Sequence, residues 1–215
     1  MSKQWEPYVV KQGDHLGKIA FLRGCDADTI WSNGKNAELA ARRKTGAMLC
    51  PGDVLHVPRE APPALELTKG TSNRYTAAIP TVPVAVQLVL GGDGRRSTSN
   101  QPFEVHGVGP RVVKGTSEAD GTVRFEAPIL CREAEVRFTK LGVVMPVHIG
   151  DLDPIDEKSG QKQRLRNLGF LPLAGEVTDA QLAAGFRSLQ RKAGIPITGV
   201  ADAATLDALA SEHLS

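Results

Sequence analysis

The side chains of this sequence that could do chemistry are few and scattered. Its five histidines are His15, His56, His106, His148 and His213, and its three cysteines are Cys25, Cys50 and Cys131. No histidine stands in a His-Glu-x-x-His or His-x-Glu arrangement, and there is no Gly-x-Ser-x-Gly elbow to present a nucleophilic serine. A cysteine hydrolase needs its thiol beside an imidazole; Cys50 and His56 are near in sequence, but on a strand turn that does not expose both. Asp151 and Asp153 lie in the polar stretch "GDLDPIDEKSG" and read as solvated charge, whereas glycosidase chemistry needs two carboxylates held in a cleft. No catalytic residue, metal site or cofactor is therefore expected. The cysteines form no Cys-x-x-Cys pair and read as small buried hydrophobes in a reducing compartment. A Cys25–Cys50 disulfide stays open as an alternative. So does a metal site from His15, Cys25, Cys50 and His56, although its spacing matches no standard ligand motif.

Composition excludes further classes. The 215 residues are 41% hydrophobic and 23% charged, with a net charge of +2. That is an ordinary globular balance without the concentrated basic face that nucleic acid demands. The basic runs Arg42-Arg43-Lys44 and Arg95-Arg96 read as solvated surface. The opening "MSKQWEPYVV" has no apolar core of a secretory signal, and the longest apolar run, "VPVAVQLVL", is a strand too short to span a bilayer. The expectation is a chain that is cytoplasmic as made and leaves the cytoplasm, if at all, by a signal-independent route.

The elements that must position these residues fall into three groups. From Tyr8 to Pro58 the pattern is β-α-α-β. "YVV" runs into Gly13-Asp14, and Leu16, Ile19 and Ala20 then recur at helical spacing until Gly24. Asp26 caps a second helix carrying Ala27, Ile30 and Trp31, "NGKNAELAARRKTGA" reads as a loop with one further helical turn, and "PGDVLHVP" closes on a short strand. "REAPPALELTKGTSN" begins as a Pro-stiffened linker, with Leu65 and Leu67 starting a strand. Alternating runs then continue to about Gly150, with Asp120-Gly121 as the strongest hairpin signal, which predicts a small antiparallel β-sandwich. Beyond "GDLDPIDEKSG" the period switches to that of helices. The first covers about Gly160 to Leu168, the second opens on a Thr178/Gln181 capping box and ends at Gly194, and the third is capped by Asp202. The predicted fold is multidomain α+β, divided at 1–60, 61–153 and 154–215.

The first group resembles the lysin motif, a β-α-α-β module that binds N-acetylglucosamine polymers. The resemblance rests on "YVVKQGDHLGKIA" and "LCPGDVLHVP". It implies a shallow sugar groove with Gly13, Asp14, His15 and Leu16 on one lip and Met48, Leu49, Cys50 and Pro51 on the other. His15 replaces the family's usual threonine or other small residue, and the loop from Ser32 to Gly46 is longer and more basic than usual. The last group resembles the three-helix peptidoglycan-binding domain appended to cell-wall hydrolases, through "QRLRNLGF", "AGFRSLQRKAGI" and "ITGVADAATLDAL". There "LAGEVTD" replaces the family's Asp-Gly-x-Phe-Gly stretch. The sandwich is expected to be a spacer.

These resemblances imply a non-catalytic protein that binds peptidoglycan or another N-acetylglucosamine glycan through two terminal modules. The rival expectation comes from the module order without a signal peptide, which looks like accessory or cargo-associated proteins of type VI secretion and related contractile injection systems. Its partner would be a secretion spike or an effector protein. A third alternative is a cell-wall hydrolase with an unrecognised site.

Overall fold

The computed structural model describes residues 4–43, 45–59, 68–70, 72, 79–87, 98–172 and 174–213. The expected strand at Leu65 and Leu67 lies outside them, as do Lys44 and the Arg95-Arg96 run. The described fold is mixed α+β, with six helices and antiparallel pairing throughout.

Strands β1 (Trp5–Val9) and β2 (Val54–Pro58) pair with Trp5 opposite Pro58 and Val9 opposite Val54. Helices α1 (Leu16–Leu22) and α2 (Ala27–Trp31) pack on the pair. Leu16, Ile19, Ala20, Ile30, Leu55 and Val57 form the core, the apolar positions that helical and strand periods predict. The stretch expected to be a loop is more ordered than that. A 3-10 turn (Gly34–Asn36) leads directly into α3 (Ala37–Arg43), which buries Leu39. Buried Asn36 fastens it to β2: its amide nitrogen donates to the carbonyls of Ile30 and His56, and its oxygen accepts from His56 N–H at 2.7 Å. Such complete pairing is what makes a buried amide tolerable.

The middle strands form two sheets over one core. β3 (Thr81–Gln87) pairs with β6 (Thr122–Pro128), while β4 (Pro102–His106), β5 (Val113–Thr116), β7 (Glu133–Phe138) and β8 (Val143–His148) make a four-stranded sheet in the order β5-β4-β7-β8. Phe103, Val105, Val136 and Phe138 from the second sheet meet Val123, Phe125 and Ala127 from the first. The Asp120-Gly121 hairpin expectation needs correction. The turn forms, with Thr122 N–H on Asp120 Oδ1 at 2.9 Å, but β5 then pairs with β4 and β6 with β3. The turn is a corner between sheets, because alternation on both flanks signals inward faces and not which strand lies alongside.

Helices α4 (Lys158–Asn167), α5 (Asp179–Ala193) and α6 (Ala203–His213) enclose Leu165, Leu182, Phe186, Leu189 and Leu209. The capping box forms as expected, with both Thr178 and Gln181 reaching back to the opposite backbone, and Gly194 ends α5 in the left-handed conformation. Asp202 Oδ1 accepts from the N–H and the hydroxyl of Thr205 at the start of α6.

Candidate functional site

Leu16 of the first lip donates its N–H to Gly46 O, two residues before the second lip, at 3.1 Å, and shares a buried cluster with Leu49 of the second. Their side chains, however, are largely engaged within the chain. Asp14 is buried and accepts from Tyr8 Oη at 2.6 Å and Lys11 N–H at 3.1 Å, with Lys18 Nζ at 2.9 Å. Burial pushes its carboxyl up, but the Tyr8, Lys18 and Lys11 contacts outweigh that and hold it below the usual value. By the same pairing the Tyr8 phenol is pushed up to about 12, through burial first and then Asp14. His15 is the N-cap of α1, its Nδ1 accepting from Lys18 N–H. The ring is also bonded to the backbone of Ile129 in the middle unit, and burial and then the Lys18 charge lower its pKa. Leu16 and Leu49 are core residues, and Pro51 is exposed in the turn before β2.

Residues of the other two units touch both lips. Gly13 has φ +80°, and a side chain there would come within 2.9 Å of the Arg132 guanidinium and 3.1 Å of Asp151 Oδ1. Arg132 donates to Gln12 O at 3.2 Å, Gln12 Nε2 donates to Asp151 O at 2.8 Å, and Gly150 packs on the Gly13 carbonyl and the His15 ring. On the other lip, Met48 Sδ accepts from Arg164 Nη2 of α4 at 3.1 Å. Half-buried Cys50 has its thiol pushed up by burial and then by the Asp153 charge. The Cys25–Cys50 disulfide does not form, both residues being thiols. Among the described residues no group of three or more His, Cys, Asp or Glu could hold a metal ion.

An ion cluster closes the joint. Arg43, expected on a solvated surface, is buried at the end of α3, its Nε and Nη2 bonded to the two oxygens of Asp53 at 2.8 and 2.9 Å. Its Nη1 reaches Glu157 at 2.7 Å and Asp156 at 3.4 Å, across to the start of α4. Arg42 also pairs with Asp53, which accepts from Cys50 N–H as well. These bonds raise the Arg43 pKa, the Asp53 hydrogen bond first. Arg164 is fully buried, donating to the carbonyls of Asp153 at 2.7 Å and Gly160 at 3.0 Å, and burial pulls it down to about 10 against the charges of Asp153 and Asp156. Asp153, expected in solvent, is buried too. Sequence reasoning missed this joint because a charged run and a polar linker carry no mark of the partner each will meet.

The C-terminal helices form a self-contained second candidate. Gln190 is fully buried and acts as a hub, its amide nitrogen on Thr198 Oγ1 and Thr205 Oγ1 at 2.8 Å and on Val200 O at 3.2 Å, its oxygen accepting from Gly199 N–H at 2.9 Å. That clamps the "PITGV" turn, whose Ile197 and Val200 are 53% and 56% exposed. Arg166 braces the "LAGEVTD" loop through Pro172 O and Gly175 O.

A family model described as "Putative peptidoglycan binding domain" matches residues 161–209, which run from α4 into α6. The match covers less than a quarter of the chain and supports a cell-wall-binding role for the C-terminal helices. No curated protein and no solved structure gives a significant match. No helix among the described residues is long and apolar enough to cross a membrane.

Proposed function

We propose that this chain is a non-catalytic peptidoglycan-binding protein whose C-terminal three-helix module is its standing contact with the wall. The observation that carries this reading is the family match lying on helices whose capping box, buried glutamine hub and apolar stripe form one rigid unit. The N-terminal lysin-motif-like module adds a second glycan contact through Gly13, Asp14, His15, Leu16, Met48, Leu49, Cys50 and Pro51, and the β-sandwich joins the two. N-acetyl sugars present an amide donor, a carbonyl acceptor and a methyl, and loop backbone beside a small apolar patch suits all three. The test is co-sedimentation of the full chain with purified insoluble peptidoglycan. The chain is expected in the pellet, and a chain left wholly in the supernatant ends this reading.

A second reading, docking on a spike or effector protein of a contractile injection system, draws on the order of the three units in the sequence alone. Capture of such a partner by a chain that ignores peptidoglycan would favour it. Clearing on a peptidoglycan zymogram would favour a hydrolase instead.

A further inference from the structure

We infer that the N-terminal glycan groove is held shut by the chain itself, and that opening the joint between its modules is the step that admits sugar. The inference rests on the proposed wall-binding reading and concerns the regulation of its second site.

Three independent contacts converge on the groove. The loop after β8 lays Gly150 and Asp151 over Gly13 and His15, and Arg132, before β7, adds its guanidinium to the same spot. The buried Arg164 of α4 holds Met48 on the opposite lip. Beside both, Arg43 links Asp53, directly after the second lip, to Asp156 and Glu157. A saccharide laid between the lips would have to displace Arg132, Asp151 and Arg164 together. These groups belong to other units, so displacing them separates modules while each keeps its own hydrophobic cluster intact.

The cover is built to release. Asp156 and Glu157 are 54% and 40% exposed at their side chains, so their pairs with Arg43 are weak and salt-screened, and Arg132 is itself exposed. The Arg43–Asp53 pair on the N-terminal side is buried and stays with its module. The joint therefore has a firm half and a loose half, which is where separation would occur. A ligand that binds only the open form sees its affinity reduced by the fraction of molecules that are open.

The test uses the full chain carrying D156N, E157Q and R132A, three exposed or half-exposed positions outside every core cluster, with circular dichroism to establish folding. Opening is read from N-ethylmaleimide labelling of Cys50, mapped by peptide mass. Affinity is read by titration with chitohexaose, and sedimentation with peptidoglycan follows the C-terminal module separately. The expected result is faster Cys50 labelling and at least about 10-fold tighter chitohexaose binding than wild type, with peptidoglycan sedimentation retained. Faster labelling without tighter sugar binding would overturn the inference, as would unchanged labelling or a wild-type chain that binds as tightly as the variant. Loss of peptidoglycan sedimentation in the wild type would strike the wall-binding reading instead.

Discussion

Arg43 shows how much one buried side chain decides. Its guanidinium and the Asp53 carboxylate are each 4% exposed, so neither charge can fall back on water if the other is removed. R43A leaves Asp53 with only the more exposed Arg42 as counter-charge and is expected to destabilise the protein by about 3 kcal/mol, the low end for breaking a buried ion pair, measurable by urea unfolding. Gln190 is the same case without charge: Q190A removes the partner of Gly199 N–H and of Val200 O and should cost about 1–3 kcal/mol. Two histidines govern the acid response. Burial, with the Arg164 charge, lowers His213 to about 4, and burial, with Lys18, also lowers His15. Both take a proton more readily unfolded than folded, so stability is full above the unfolded value of about 6.5 and falls as pH drops towards 4. Asp53 and Asp14 have lowered folded values, which adds a further loss at still lower pH as they protonate. H213Q is expected to flatten the upper part of that fall, read as unfolding midpoint against pH.

Among the elements, α4 has the tightest constraint. A Cβ at Gly160 would collide with the carbonyl oxygens of Asp153 and Pro154, so the first turn of α4 lies hard against the loop that leads into it. G160A is expected to push α4 away and loosen Arg164, speeding Cys50 labelling while α5 and α6 stay folded. Helix existence was legible wherever a cap and an apolar stripe coincided: Thr178 with Gln181, Asp202, and Leu182 with Phe186 and Leu189 appear in the structure as read. Strand existence was legible from alternation, as for Val123, Phe125 and Ala127. Strand partnership was not, because alternation at Asp120-Gly121 is equally compatible with a hairpin and a corner between sheets. The helix Ala37–Arg43 was underread because its Ala-, Glu- and Arg-rich composition is strongly helix-forming but buries only Leu39 as an apolar anchor. Of the candidate site, the backbone turn at Gly13 was legible. Its covering by Arg132 and Asp151, more than a hundred residues away, leaves no local trace.

At the scale of the molecule, three hydrophobic clusters meet at one polar seam. Two glycan modules on a free spacer would gain avidity of about 10²–10⁴ by effective concentration, but only where geometry lets both engage at once. With the N-terminal lips turned inward, that gain is expected only after opening. The seam also bears on where the protein can be cut. Its sequence invites division at Asp153, yet Asp153 lends its carbonyl to Arg164, and the two acidic residues beyond it serve Arg43 of the first unit. A piece excised there carries away its neighbour's counter-charges. The first unit would lose two of Arg43's acidic partners and the last would lose the carbonyl that Arg164 bonds, so neither is expected to behave alone as it does in the whole chain.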